Sequence, residues 1–250
     1  MISPTFVTAE PPQEPAAAYS RWFTGLEAIV ANAQHLCIWH EGLPGRVAPA
    51  LTSLSGKVFW RAKSPLWHEE TVNHLGEHLD AQILWSYRTA LQAVGLLNDA
   101  VLTNPFASQR FVWLSPDLLA SMGNNASQCC DSLQWFAQRS SGFFYLRQRD
   151  AAEECDQEAS VVRAVRSADL LIGDGDTLNR INAMYWHLYD TQLSAARLPE
   201  LNQVFVSIAD GIREKSSWFM LDDGAMSAQF LARIHVRDTV VHRGVALTDD

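Results

Sequence analysis

AYSRWFTGLEAIVANAQHLCIWHEG, residues 18–42, is the stretch whose reading decides the fold. Apolar side chains at Trp22, Leu26, Ile29, Ala33 and Leu36 recur at the three-to-four residue spacing of one helical face, and Gly42 with Pro44 ends the run. Read as one helix, it sets an all-helical pattern that the rest of the chain extends.

Before it, residues 1–16 are rich in Pro, Glu and Ala and read as a flexible N-terminal arm. After it, residues 45–65 carry Pro49, Gly56 and Pro65 without a long period, as expected of a connection with one short helix. LWHEETVNHLGEHLDAQILWSYRTALQAVGLLNDAVL, residues 66–102, is the longest periodic segment. Val72, Leu75, Leu79, Ile83, Tyr87, Leu91 and Val94 keep one stripe, which predicts a long central helix kinked near Gly76 or Gly95.

TNPFASQRFVWLSPD, residues 103–117, breaks that pattern with two prolines, and a helix is expected to restart with Ser115 as its cap and Pro116 at its first position. Further helices are expected near 126–149, 151–171, 177–196, 200–218 and 225–243. Alternating strand patterns joined by hairpin turns are nearly absent. The expected fold is therefore an all-α helical bundle, a single domain over residues 17–250 with a motif-bearing C-terminal helix.

The 48% hydrophobic content is ample for a core. No run approaches the ~20 apolar residues needed to cross a bilayer, and the N-terminus resembles no signal peptide, so the expected setting is cytoplasmic with no membrane partner. Cys37, Cys129, Cys130 and Cys155 form no C-x-x-C pair and read as packing residues, with no role assigned to the adjacent Cys129–Cys130. A net charge of −9 excludes a general nucleic-acid coat. Only Lys57, Lys63 and Lys215 among the basic residues are lysines, so the cations are mainly arginines, which suit bidentate phosphate or carboxylate contacts.

Three polar clusters stand out. In WHEETVNHLGEH, Glu70, His74 and His78 would share a helical stripe with metal-ligand chemistry, but no second helix offers a matching Glu-x-x-His, so a solvated helix face is the simpler reading. In GDGDTLNRINAMYWHLYD, Asp174 and Asp176 lack the later ligands of a calcium loop; Asp176 or Thr177 as a helix cap explains the stretch, with Tyr185, Trp186 and Tyr189 as core. In RIHVRDTVVHRG, residues 233–244, His235, Asp238 and His242 form one helical stripe beside an apolar one of Phe230, Ile234, Val241 and Val245.

The last stretch resembles the R-x(4-6)-H motif of HEPN domains: Arg237, polar Asp238, then Thr239, Val240, Val241 and His242. Two other Arg-to-His spacings occur, Arg61 to His68 and Arg180 to His187; the added polar residue and the valine pair favour the third. The resemblance implies a helical domain, often a homodimer, that cuts RNA without metal or other cofactor in a toxin or phage-defence setting, under the control of a cognate antitoxin or regulatory protein. His242 would move the proton between the ribose 2′-hydroxyl and the leaving oxygen, Arg237 would stabilise phosphate charge, and Asp238 would orient them. Arg243 and His235 would add substrate contacts.

Two alternatives remain at this level. One is a non-catalytic helical interaction module. The other is a helical metalloprotein using His235, Asp238 and His242, since HVRDTVVHRG is also similar to the ending of DinB-like metalloproteins, with His74 or His78 completing the ligands.

Overall fold

The computed structural model describes residues 3–12, 16–32, 35–40, 57–139, 142–148, 157–212 and 216–221. Its centre is a seven-stranded mixed sheet, not a helical bundle. The strands are β1 (Thr5–Ala9), β2 (His35–His40), β3 (Val58–Ala62), β4 (Arg110–Leu114), β5 (Phe143–Gln148), β6 (Leu170–Asp174) and β7 (Ser216–Leu221), in the spatial order β3-β2-β1-β4-β6-β5-β7. The pairs β1–β2, β2–β3, β1–β4 and β5–β7 are parallel, whereas β6 runs antiparallel to both β4 and β5.

The all-α expectation fails for one physical reason: these strands are buried on both faces. Phe111 and Trp113 of β4 point into one core while Val112 and Leu114 point into the other, so FVWL is a continuous apolar run without alternation. The same holds for Leu36 and Ile38 against Cys37 and Trp39, and for Leu170 and Ile172 against Leu171. Appended to a helix, such a run passes for one more turn.

The helices are α1 (Ala16–Ala31), α2 (Glu69–Leu75), α3 (Ala81–Thr103), α4 (Pro116–Met122), α5 (Ala126–Arg139), α6 (Gln157–Ser167), α7 (Gly175–Ser194) and α8 (Leu201–Gly211). The expected first helix is thus α1 followed by β2. Trp22, Leu26 and Ile29 do form the buried face of α1, but Leu36 belongs to a strand. The spans expected at 126–149, 151–171 and 200–218 likewise each run a helix into part or all of a strand. Residues 5–9, expected within the N-terminal arm, are β1, paired on both sides and wholly buried.

The long central helix is two helices. Gly76 closes α2, and α3 restarts with Asp80 as its cap, the Asp80 carboxylate accepting the Gln82 amide at 2.8 Å. Ser115 caps α4 and Pro116 opens it, as the sequence predicts; the Ser115 hydroxyl accepts the Leu118 amide at 3.0 Å.

Helices α1, α4 and α5 pack on one face of the sheet and α3, α6, α7 and α8 on the other, giving three layers. The chain moves outward from β1 to β3, then α3 carries it back past β1 to β4 on the opposite side. The carboxyl ends of β1 and β4 therefore flank a topological switch point, where open α/β sheets form their ligand crevices. Among the described residues no helix is long and apolar enough to cross a membrane.

Candidate functional site

Two groups of residues lie at the carboxyl edge of the sheet near this switch point. On the α1 face lie Thr8, Glu10 and His40, from the ends of β1 and β2. The Glu10 amide donates to the Trp39 carbonyl at 2.8 Å, which prolongs the strand pairing and fixes Glu10 at the lip. Its carboxylate accepts the Tyr19 hydroxyl of α1 at 2.9 Å. Thr8 and His40 are 1% and 8% exposed, and neither the Thr8 hydroxyl oxygen nor His40 Nδ1 has a hydrogen-bond partner. Buried polar atoms left unpaired cost about 1–3 kcal/mol each. The His40 ring lies 6.3 Å from that of Trp60.

The other group surrounds a cavity of about 280 Å3 beneath the end of β4, with Asp80, Ser86, Asp117, Val162, Arg166 and Asp169 in its wall. Asp117 sits in the first turn of α4 and is exposed; its Oδ2 accepts the Ser86 hydroxyl at 2.9 Å. Asp169 precedes β6, whose reversed direction brings its amino end to the carboxyl end of β4. The Ser115 amide donates to the Asp169 carbonyl at 2.9 Å, and the Ser115 hydroxyl donates to Asp169 Oδ1 at 2.5 Å. Burial pushes the Asp169 carboxyl up to about 7; the Ser115 bond and Arg166 pull it down, and the nearby Asp117 charge pushes it further up.

The sequence reading singled out neither Asp117 nor Asp169 as chemistry. The available signal was four apolar residues running directly into Ser-Pro-Asp, a strand delivering an acid at the start of a helix.

A second, larger cavity of about 470 Å3 lies between α3, α7 and the segment after β3, walled in part by Trp67, Gln92, Asp99, Asn182, Trp186 and Asp190.

The residues expected to be catalytic or substrate-binding, Arg237, Asp238, His242, Arg243 and His235, lie outside the described residues. Glu70, His74 and His78 do not make a metal stripe: α2 ends at Leu75, before His78, and His74 is exposed with Nδ1 3.5 Å from Glu77. Among the described residues no group of three or more His, Cys, Asp or Glu side chains gathers to hold a metal. Asp174, not Asp176 or Thr177, caps α7, accepting the Thr177 amide at 2.9 Å. Tyr185 and Tyr189 are core as expected, while Trp186 borders the larger cavity. Of the competing spacings, Arg61 stacks over Trp39 at 5.7 Å and His68 approaches Asp190 at 3.6 Å, whereas Arg180 and His187 are exposed on α7.

Neither a protein-family model nor a curated protein matches the sequence. Solved structures do match the fold. Core-mannan synthase A from Aspergillus fumigatus, in its Mn/GDP form, aligns at a TM-score of 0.53 and 9% identity over 87% of this chain and 73% of that one. The likeness is one of fold, an α/β sheet flanked by helices. A glycosyltransferase involved in the glycosylation of the major capsid of PBCV-1 aligns at 0.48 and 12% identity, over 88% of this chain and 82% of that one. A cytidylyltransferase from Leptospira borgpetersenii aligns at 0.43 and 14%, over 91% and 79%.

The HEPN resemblance is thereby corrected. HEPN domains are helical bundles, whereas this chain is built on a mixed sheet and its structural likeness is to an α/β fold. The six residues from Arg237 to His242 match a short pattern that arginine-rich sequence meets by chance. The endoribonuclease reading, with its toxin or defence setting, falls with the fold that carried it.

Proposed function

We propose that this chain is a transferase that binds a nucleotide-activated sugar at the switch-point crevice. The observation that carries the reading is the pair of unpartnered buried polar atoms, Thr8 Oγ and His40 Nδ1, at the carboxyl ends of β1 and β2. They lie where an open α/β sheet receives its nucleotide. The likeness to core-mannan synthase A supports it, because that protein's structure is a Mn/GDP form on a comparable fold.

In this reading the nucleoside lies against the α1 face. Thr8 and His40 hydrogen-bond it, Glu10 held by Tyr19 accepts from a ribose hydroxyl, and Trp60 offers an apolar wall. The diphosphate extends toward β4.

The residues at the second lip fit a divalent cation held jointly with a diphosphate. Such ions keep one or two carboxylate ligands and take the rest from phosphate and water. Asp117 is exposed and engages one oxygen with Ser86, so it has capacity for an ion; Asp169, buried against Ser115, backs it. When bound, the cation would neutralise charge on the leaving diphosphate. The chain's own contribution is positional: Asp169 holds Ser115, Ser115 caps α4, and α4 presents Asp117 at the lip.

Titration calorimetry with GDP and UDP, with and without Mn2+, tests this. Binding of at least one nucleotide is expected, strengthened by Mn2+. Thr8→Val should weaken it about fivefold, the worth of one hydrogen bond. Asp117→Asn should remove the Mn2+ enhancement while leaving metal-free binding unchanged. No binding of either nucleotide would overturn the reading.

A further inference from the structure

The larger cavity has chemistry of its own, distinct from the crevice. Its walls come from α3, α7 and residues 64–67, and its volume of about 470 Å3 is that of a small-molecule pocket. Of the described residues that line it none is basic, while two are carboxylates, Asp99 and Asp190, and two are indoles, Trp67 and Trp186.

Each of these groups is held in place. The Trp186 indole N–H donates to Asn182 Oδ1 at 3.0 Å, and its ring meets those of Tyr185 and Tyr189 edge-on, both at 5.1 Å between centroids. Its Cζ2 edge packs against α3 at Gly95, where an added Cβ would come 3.0 Å from that atom, so glycine there makes room for the indole. The Trp67 backbone carbonyl accepts the Tyr189 hydroxyl at 2.6 Å, which fixes the main chain at Trp67; its side chain is 59% exposed, one of only two large apolar side chains so exposed among the described residues.

The acids lack full compensation. Asp190 Oδ1 is buried without a hydrogen-bond partner, with His68 Nε2 3.6 Å away, while the rest of the Asp190 side chain is half exposed. Asp99 is half-buried, and burial raises its carboxyl pKa against the pull of Arg61, whose guanidinium is engaged elsewhere, with Thr103 at 2.9 Å and over Trp39. Gln92, 6% exposed, commits its carboxamide nitrogen to the Ser64 carbonyl at 3.0 Å. The pocket thus joins π-faces to two carboxylates, with no basic side chain among the described residues that line it.

We propose that this cavity between α3 and α7 binds a small organic cation of the alkylammonium class, with Trp67 and Trp186 facing its carbon-bound charge and Asp99 and Asp190 balancing it. Aromatic faces attract such cations through the ring quadrupole, most strongly for tryptophan and in desolvated sites. An anionic ligand would meet two carboxylates, and a neutral apolar one would leave Asp190 unpaired. The site is independent of the nucleotide crevice.

The test is calorimetric titration of the full chain with tetramethylammonium and n-butylammonium chloride, each beside its neutral counterpart, neopentyl alcohol and n-butanol, at constant ionic strength. At least one cation is expected to bind about tenfold more tightly than its counterpart, between the worth of an exposed and of a desolvated cation–π contact. Trp67→Ala, chosen because its exposed side chain can be removed without opening the core, should weaken cation binding at least threefold. Asp190→Asn with Asp99→Asn should abolish the preference for charge; near-UV circular dichroism and the Mn2+–GDP titration report whether the variants remain folded. Equal binding of cations and neutral counterparts, or no cation binding up to tens of millimolar, overturns the proposal, as does a preference unchanged in both variants.

Discussion

The Ser115 hydroxyl donates to Asp169 Oδ1 at 2.5 Å, joining residues 54 positions apart at the edge where β4 ends and β6 begins. Ser115 also accepts the Leu118 amide, so a single hydroxyl ties a buried acid to the cap of α4 and to Asp117 beyond it.

Asp169 makes stability depend on pH in an unusual direction. Its folded-state pKa of about 7 lies above the ordinary aspartate value, so between roughly pH 4 and 7 the folded chain holds a proton that the unfolded chain has released. Stability from this group is therefore greatest below pH 4 and falls as pH rises through 7, by a few kcal/mol in order of magnitude. Asp169→Asn keeps the shape and cannot ionise. Urea midpoints at pH 5 and pH 8 should converge in the variant relative to the parent; an unchanged difference would falsify the assignment.

Asp174 behaves oppositely. Burial raises its carboxyl, but the Thr177 amide and hydroxyl, Arg110 at 3.1 Å and the Gly142 amide outweigh that and hold it below its usual range. Its stabilisation is present above about pH 4 and is lost as pH falls through the depressed value. At neutral pH Asp174→Ala should cost about 1–2 kcal/mol through loss of the α7 cap. Arg110→Ala removes a partly exposed ion pair and should cost under about 1 kcal/mol. Chemical denaturation of both variants separates the cap from the pair.

Gly25 sets how closely α1 approaches α4. A Cβ at that position would fall 2.6 Å from Leu119 Cδ1 and 3.0 Å from the Leu119 carbonyl oxygen, so backbone as well as side chain stands in the way. Gly25→Ala should destabilise by about 1–3 kcal/mol despite alanine's better helix propensity. A Tm lower by several degrees is the expected reading; a higher Tm would mean that the two helices separate freely.

The described cysteines should be inert. Burial pushes the Cys37 thiol up to about 12 and Cys129 up to about 11, and raises Cys130 further with help from Cys129 and Asp131. All three are buried and outside any disulfide. Thiolate is the reactive form. In a Cys155→Ser background, Ellman's reagent should label no thiol within minutes at pH 8 until denaturant is added; prompt labelling would contradict this packing.

Much of the local structure was legible. Trp22, Leu26 and Ile29 identify the buried face of α1, and Ser115–Pro116 marks the start of α4. Tyr185 and Tyr189 of α7 and Cys37, Cys129 and Cys130 are core residues as expected, and Cys155 lies outside the described residues. Strands were not legible, because β1, β2, β4 and β6 sit between two helical layers. With Phe111 and Trp113 buried on one side and Val112 and Leu114 on the other, alternation vanishes and only an apolar run remains.

The candidate site was still less legible. Thr8 and Glu10 lay in a segment read as an arm, and Asp169 in a span read as the end of a helix. The apolar faces of α1 and α7, the start of α4 and the size of the core follow from local pattern. Only the tertiary structure decided that the short apolar runs pair into one sheet and that Asp117, Ser115 and Asp169 meet at its edge. The reason is physical: a strand's hydrogen bonds, unlike a helix's, close with partners that the local sequence does not contain.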